Sequence, residues 1–181
     1  MSDAAESPIA FKVNVSRLPM KGMPVTIDAD EAQRESLATV HDLVAVERFR
    51  AQILVSPWKG DGAKVAGQVR ARIVQSCIVT LEPVENEIDE SFTALFLPEG
   101  SKLALPIGEH GEIVLDPQGE DAPEQFKGDR IDVGQLAEEY FALGIDPYPR
   151  KPGVALPRDD GDGEDDRGPL AEKLEALRKK S

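Results

Sequence analysis

Two long stretches in which apolar and polar side chains alternate constrain the fold of this 181-residue chain more than any other feature. The first is Leu43–Val55 and the second is centred on Val69–Ile73, with the turn cluster Pro57–Gly62 between them. Alternation with a period of two is typical of strands with one buried face, and a Gly-rich turn between two such strands predicts an antiparallel hairpin. A third alternation, Ile88–Phe96, can pair beside the hairpin, so we expect an antiparallel meander.

Two helices are predicted from capping signals. Asp28 with Glu31 predicts a helix over residues 29–40, and Asp132 with Gln135 predicts a second helix that stops at Gly144. Shorter strand signals occur at residues 9–15 and 25–27. The predicted fold class is α+β: an antiparallel β-sheet of about five strands with two packed helices and a tethered C-terminal helix.

Changes in composition predict the domain organisation. Residues 1–8 read as a disordered N-terminus, and residues 9–155 as a single α+β domain. Within that domain, residues 98–128 are rich in Gly, Pro and acids and predict a mobile acidic excursion. Residues 156–181 predict an acidic linker followed by a short amphipathic helix that carries Leu170, Leu174 and Leu177.

The net charge of −13 is concentrated in one block. Residues 1–84 carry ten acidic and ten basic side chains, residues 85–146 carry sixteen acidic and three basic, and residues 147–181 carry eight of each. An acidic block repels phosphate but attracts a basic protein. The simpler interpretation is a solvated face that keeps the protein soluble.

Several classes of site are not expected from the sequence. Cys77 is the single cysteine, so an intramolecular disulfide and a Cys-rich zinc site are both excluded. We find no phosphate-cradling Gly-rich loop and no metal-ligand spacing, and we expect no cofactor and no metal. The acidic first residues are unlike a signal peptide, and no apolar run is long enough to span a bilayer. We therefore expect a cytoplasmic protein without a membrane partner.

Four arginines are the main candidates for binding. If the two long strands pair, Arg48, Arg50, Arg70 and Arg72 cluster on one solvent face, where they could bind RNA phosphates. The alternative is an ordinary solvated sheet face. Trp58 at the hairpin tip could stack on a base, although a role in covering the end of the core is the favoured interpretation. No DNA partner is expected.

The acidic block also raises an enzymatic alternative. Its carboxylates could serve acid–base chemistry or Mg²⁺ in a metal-dependent hydrolase or nuclease, the candidates being Asp89, Glu90, Glu138, Glu139 and Asp146. Adjacent carboxylates are expected by chance in so acidic a block, so we predict no enzyme. The two histidines, His41 and His110, lack ligand spacing and are expected in surface or loop roles.

Several segments, in order, resemble one bacterial family. They are Phe11–Val13 with Arg17–Pro19, Gly67–Ile73 leading into Cys77–Val84, Gly128–Glu139, Ile145–Arg150, and Gly168–Leu177. Together they resemble the YceD-type large-subunit ribosomal RNA accumulation proteins. The residues that carry the family motifs are Cys77, Leu81, Glu82, Pro83, Asp132, Gly134 and Glu138.

The sequence departs from this family at Thr80, because many members have a second cysteine there. The departure argues against a metal or thiol role for Cys77 and Thr80. The motif is therefore interpreted as a structural turn, with Leu81 and Val84 packed inside.

The resemblance implies a non-enzymatic ribosome-biogenesis factor that promotes accumulation or processing of large-subunit rRNA. It supplies no catalytic residues. The implied partner is large-subunit rRNA, contacted by the arginines, or a basic ribosomal protein, contacted by the acidic block; the charge distribution slightly favours the protein. An interaction module unrelated to ribosomes is a further alternative.

Overall fold

A computed structural model describes residues 6–101 and 123–154 of the chain. The chain divides into two compact units, Met1–Lys151 and Pro152–Ser181, and every helix and strand described below belongs to the first. The predicted C-terminal helix and acidic linker, most of the predicted excursion and the first five residues of the predicted disordered N-terminus lie outside the described residues.

Seven strands and two α-helices make up the described part of this unit. In chain order they are β1 (Lys12–Asn14), β2 (Met23–Asp28), α1 (Glu31–Val40), β3 (Ala45–Trp58), β4 (Gly62–Ser76), β5 (Pro83–Pro98), β6 (Glu124–Phe126), β7 (Arg130–Asp132) and α2 (Val133–Leu143), with a 3₁₀ turn at Val15–Arg17. This arrangement confirms the predicted α+β class.

The main sheet has five strands in the order β2-β3-β4-β5-β6. All neighbours are antiparallel except β5 and β6, which are parallel. The long alternations therefore form the predicted hairpin and meander, with β3, β4 and β5 running for 14, 15 and 16 residues. A register shift between Val46 and Arg48 marks a bulge near the start of β3.

One face of this sheet holds the core. The buried residues on this face include Phe49 and Ala51 on β3, Val69 and Ala71 on β4, and Phe92 and Ala94 on β5. Both helices pack on this face, α1 against β3 and α2 against β4 and β5. Phe141 of α2 meets Phe49 edge to face with ring centroids 5.4 Å apart, and Tyr140 stacks on Phe92 at 4.6 Å. On the opposite face, the side chains around Arg50, Arg70 and Asp89 are mainly polar, whereas Leu54 and Leu95 lie toward the other end of the strands.

Both helices form where the sequence predicts them, but only one of the two predicted N-caps is correct. α2 begins at the predicted cap Asp132. α1 instead begins after Asp30, whose side chain accepts from the Gln33 backbone N–H while the Gln33 side chain accepts from the Asp30 N–H. Asp28 is the last residue of β2, where it lies opposite Arg50 in the strand register, so it is too far from the start of α1 to cap the helix.

The N-terminal strand lies outside the main sheet. β1 pairs with β7 in a separate two-stranded sheet, in which Lys12 lies opposite Asp132 and Asn14 opposite Arg130. The fifth strand of the main sheet is instead β6, a three-residue strand without a clear sequence signal. A strand this short is held by backbone hydrogen bonds to the edge of β5 and does not need an alternating pattern of its own.

Candidate functional site

The polar face of the main sheet brings the four predicted arginines together. In the β3–β4 register, Arg48 lies directly opposite Arg72, and Arg50 lies directly opposite Arg70. Residues two apart on a strand share a face, so the two pairs form adjacent rows about 7 Å apart. Like charges in direct opposition destabilise a bare sheet, and the face must supply compensating groups.

The next strand supplies those groups as carboxylates. On β5, Asp89 lies opposite Arg70 and Glu87 lies opposite Arg72. Arg70 Nε donates to Asp89 Oδ2 at 3.3 Å, and Arg72 Nη2 donates to Glu87 Oε1 at 2.9 Å. The hydrogen bond that Arg72 donates to Glu87 raises the pKa of Arg72 above its usual range. The sequence interpretation missed Glu87 and named Asp89 only as a candidate for acid–base or Mg²⁺ chemistry, although alternation along β5 puts both on the outward face.

Gln68 completes the surroundings of Asp89. Its Nε2 atom donates to Asp89 Oδ1, so both oxygens of this carboxylate are engaged, one by Gln68 and one by Arg70. Gln68 also lies opposite Gln52 of β3 and Ser91 of β5. A neutral polar row thus borders the arginine rows.

Arg48 and Arg50 are placed differently from their partners. Within the described ranges, no carboxylate oxygen lies within ion-pair distance of either guanidinium. The Nε atom of Arg50 is buried and has no hydrogen-bond partner among the described residues. A buried donor without an acceptor is costly, so this position favours a ligand oxygen or a water molecule.

These side chains line a groove of about 570 Å³ on the polar face. We call it the arginine groove. Its lining residues are Glu47, Arg48, Arg50, Gln52, Gln68, Arg70, Ala71, Arg72, Glu87, Ile88 and Asp89. Four guanidinium groups against three carboxylates leave a net charge of +1, in a chain whose overall charge is −13. The groove is therefore suited to a single anionic strand more than to a broad polyanionic surface.

Trp58 does not belong to this groove. It is the last residue of β3, eight positions from Arg50, which corresponds to about 26 Å along the strand. Lys59 Nζ lies 4.7 Å from the centroid of the half-buried indole and occupies one face of the ring. The structure thus separates Trp58 from the arginines with which the sequence grouped it.

Cys77 opens a tight turn at the end of β4. Its backbone N–H donates to the Glu82 carbonyl at 2.8 Å, and its own carbonyl accepts from the Leu81 N–H at 2.9 Å. Ile78 N–H donates to the Pro149 carbonyl at 3.0 Å, which ties the turn to the segment that follows α2. The motif is thus a structural turn, as the sequence predicts.

The Cys77 sulfur is fully buried within this turn. It accepts hydrogen bonds from the Thr80 hydroxyl and from the backbone N–H groups of Lys151, Thr80 and Val79, and these lower the pKa of the thiol from 9.0 to about 6. Thr80, the residue that departs from the family pattern, is the largest contributor to this pKa shift.

The prediction that Leu81 is packed inside is wrong. Leu81 has φ +60° and a side chain that is 77% exposed, because the turn needs a left-handed residue at this position. Val84 is buried, as predicted. Glu82 pairs with Lys151 across 3.0 Å, which lowers the pKa of Glu82, and Pro83 begins β5.

Asp132 and Gly134 join the N-terminal segment to α2. Asp132 Oδ1 accepts hydrogen bonds from the backbone N–H groups of Gly134 and Gln135, which caps α2, and also from that of Phe11. A Cβ atom at Gly134 would lie 1.9 Å from the Ile9 carbonyl oxygen. Only glycine fits where the chain crosses the helix, so both motif residues have structural roles.

Glu138 also has an internal partner. Its Oε1 atom lies 2.9 Å from His41 Nε2, and the side chains of Glu138 and His41 are 12% and 15% exposed. The His41 ring also packs edge to face on Phe141, with centroids 5.3 Å apart. The expected surface or loop role is wrong for His41, which links α1 to α2; His110 lies outside the described residues.

The candidate carboxylates of the acidic block lie on different elements: Asp89 and Glu90 on β5, Glu138 and Glu139 on α2, and Asp146 after α2. Within the described ranges, no group of three or more His, Cys, Asp or Glu side chains is placed to hold a metal ion. Many of the carboxylates have local partners: Glu87, Asp89, Glu99, Asp129, Asp132, Glu138, Glu139 and Asp146. Burial, helped by Glu139, raises the pKa of Glu124 beside a smaller cavity of about 160 Å³.

Comparisons with known proteins give one match. Residues 65–178 match the model of a family described as large ribosomal RNA subunit accumulation protein YceD. A search of curated proteins and a search of solved structures each found no match. The matched segment contains Arg70, Arg72, Glu87 and Asp89 but begins after Arg48 and Arg50. No helix within residues 6–101 and 123–154 is both long and apolar enough to cross a membrane.

Proposed function

This chain belongs to the YceD family of large ribosomal RNA subunit accumulation proteins, and we propose that it promotes accumulation of that RNA by binding it in the arginine groove. The single observation that carries the contact is the register of Arg48 with Arg72 and of Arg50 with Arg70 on an otherwise polar sheet face. Guanidinium groups bind phosphate oxygens with charge-assisted, bidentate hydrogen bonds. The protein acts in the cytoplasm, without catalysis.

The groove favours recognition of the RNA backbone. Among the described residues, no aromatic side chain lines it, and its lining therefore offers no platform on which bases would stack. Its lining consists mainly of charged and amide side chains, which bind phosphate and ribose oxygens. We therefore infer that a short single-stranded segment binds through its backbone, with little dependence on base sequence.

A protein partner is the less favoured route. The acidic block is the surface that a basic ribosomal protein would contact, but many of its described carboxylates already hold a helix cap, a buried histidine or a neighbouring cation. Among the described residues, in contrast, neither Arg48 nor Arg50 has an ion-pair partner, and Arg50 Nε has no hydrogen-bond acceptor. Guanidinium donors without an acceptor in a groove support binding of an anionic ligand. Carboxylates that already have partners give weaker support for binding of a basic protein.

The test reverses the four groove charges. A variant with Arg48, Arg50, Arg70 and Arg72 changed to Glu should lose crosslinking to RNA. In cells depleted of the natural protein, it should also fail to restore the ratio of large- to small-subunit rRNA. The matched control reverses four exposed basic residues outside the groove, namely Arg17, Lys21, Lys59 and Arg150, and should restore both.

Two outcomes would contradict the proposal. If the groove variant is folded by denaturant titration and restores the rRNA ratio as well as the control does, the groove has no part in the function. If crosslinking recovers a basic ribosomal protein and no RNA, and the groove variant retains that protein, the acidic surface is the contact instead.

A further inference from the structure

The two sides of the arginine groove differ in their charge balance. On β4, Arg70 and Arg72 are each held by a carboxylate of β5, whereas Arg48 and Arg50 on β3 have no such partner among the described residues. The groove thus has a free side and a neutralised side. A phosphate strand that uses all four arginines must compete with the two carboxylates.

The surroundings of Asp89 resemble those of a bound phosphate. One of its oxygens accepts from Gln68 Nε2 and the other from Arg70 Nε, so an anion with two acceptors is held between two donors of β4. Glu87 engages Arg72 through one oxygen in the next row. Carboxylate and phosphodiester groups share negative charge and oxygen acceptors, and guanidinium binds both.

We propose that Glu87 and Asp89 are internal competitors that occupy phosphate positions of the arginine groove and limit its affinity for RNA. The inference rests on the proposed function and names a regulatory element of the same site. The competition is reversible because the pairs are exposed: the Arg70 and Asp89 side chains are 64% and 57% exposed, and those of Arg72 and Glu87 are 52% and 76% exposed. Exposed ion pairs are weak, so a phosphate can displace them.

This arrangement has a functional consequence for a protein that works among abundant RNA. Four bare arginines would bind any polyanion, because phosphate contacts carry no sequence information. Two carboxylates in the same groove weaken every such contact. Only an RNA segment whose shape fits the groove, and which reaches the free side at Arg48 and Arg50, gains enough contacts to bind.

The experiment measures binding of a fluorescent single-stranded RNA oligonucleotide by anisotropy over a range of salt concentrations. The test variant carries Glu87→Gln and Asp89→Asn. It should bind about fivefold more tightly than the natural protein, since two weak competing pairs and their repulsion of phosphate are removed. Its logarithmic salt dependence should steepen by about 1.4, which corresponds to two more arginines in contact with phosphates.

The matched control carries Glu35→Gln and Asp61→Asn. It makes the same change in net charge at two exposed positions, one on α1 and one at the hairpin tip, and neither residue belongs to the ion pairs of the groove. Its affinity and salt dependence should stay close to those of the natural protein. An equal gain in the control would overturn the inference, because the effect would then be one of net charge.

Failure of the inference and failure of the proposed function give different results. If the natural protein binds RNA and the four-arginine variant does not, but Glu87→Gln with Asp89→Asn changes neither affinity nor salt dependence, the carboxylates do not compete and the proposed function stands. If no variant binds RNA, including the one without the carboxylates, both proposals are overturned. If only that variant binds, the competition is strong and the inference holds.

Discussion

The two faces of the main sheet use charged residues in opposite ways. On the face covered by the helices, Glu138 and His41 form a single pair that is nearly buried and packed against Phe141. On the open face, four arginines and two carboxylates form exposed rows around a groove. The buried pair fixes the position of two helices, whereas exposed pairs fix very little.

This contrast separates family motifs from candidate binding residues. Asp132, Gly134 and Glu138 all act inside the molecule, as a helix cap, a close-packing site and a partner of His41. The Cys77 turn likewise holds the segment that follows α2. Arg70 and Arg72 of the open face fall within Gly67–Ile73, a segment that resembles the family, whereas Arg48 and Arg50 lie outside the family-like segments. The motif residues named above have structural roles, and we propose that the groove binds RNA.

The largest expected effect on stability is at the crossing of the N-terminal segment and α2. Gly134→Ala places a methyl group against the Ile9 carbonyl and should lower the free energy of unfolding by about 3 kcal/mol, because the backbone must move. Urea denaturation measures this change in the free energy of unfolding. Gln135→Ala, at the next and exposed position, is the control and should change little. A change in Gly134→Ala as small as in the control would mean that this segment is loosely held.

A smaller effect is expected from the buried pair, and it tests the difference between the two faces directly. Glu138→Ala should lower the free energy of unfolding by about 2 kcal/mol, because it leaves His41 Nε2 largely buried without the carboxylate that pairs with it. Glu87→Ala removes the same type of side chain from an exposed pair and should leave stability nearly unchanged. A double-mutant cycle with His41→Ala separates the pairwise part of the cost. Equal costs for Glu138→Ala and Glu87→Ala would remove the distinction between the faces.

The third effect appears only on acidification. The pKa of Cys77 is about 6 in the folded protein and 9.0 without its hydrogen bonds, so the folded state favours the thiolate. The resulting stabilisation is fully present above the unfolded pKa and is lost as the pH falls through about 6. Because Cys77 is the single cysteine, the ultraviolet absorbance of the thiolate should titrate with a midpoint of about 6.

Variants of Thr80 supply the control for this titration. Thr80→Val removes the hydroxyl donor and should raise the midpoint, whereas Thr80→Ser keeps the hydroxyl and should leave it in place. In Cys77→Ser the part of the stability loss that occurs around pH 6 should disappear. A midpoint near the unfolded value in the natural protein would show that the sulfur lacks these donors.

The sequence was sufficient for the elements that depend on local pattern. The alternation in β3, β4 and β5 follows from one buried face, and the second helix follows from its cap at Asp132. The arginine rows were predictable because the pairing of β3 and β4 follows from the turn between them. Glu87 and Asp89 were predictable in principle from the same alternation, once β5 was placed beside β4.

Other features depend on contacts between distant parts of the chain. No local pattern places His41 against Glu138, because their meeting depends on how α1 and α2 lie on the sheet. The left-handed conformation that exposes Leu81 is set by hydrogen bonds across the whole turn, and an apolar residue in a motif was wrongly taken for a core residue. The pairing of β1 with β7 also depends on tertiary packing, since β7 has only three residues.

The pairing of β1 with β7 has a consequence for the order of folding. β3, β4 and β5 follow one another in sequence, so their pairing can begin at the turns between them. β1 instead pairs with β7, a strand near the other end of the domain. Closing so long a loop is entropically costly, so we expect it late in folding. During synthesis the arginine hairpin is therefore complete before β7 exists. We therefore expect that the groove can form on a nascent chain while the N-terminal segment is still unpaired. That segment can take its final position only after β7 and α2 have been synthesised.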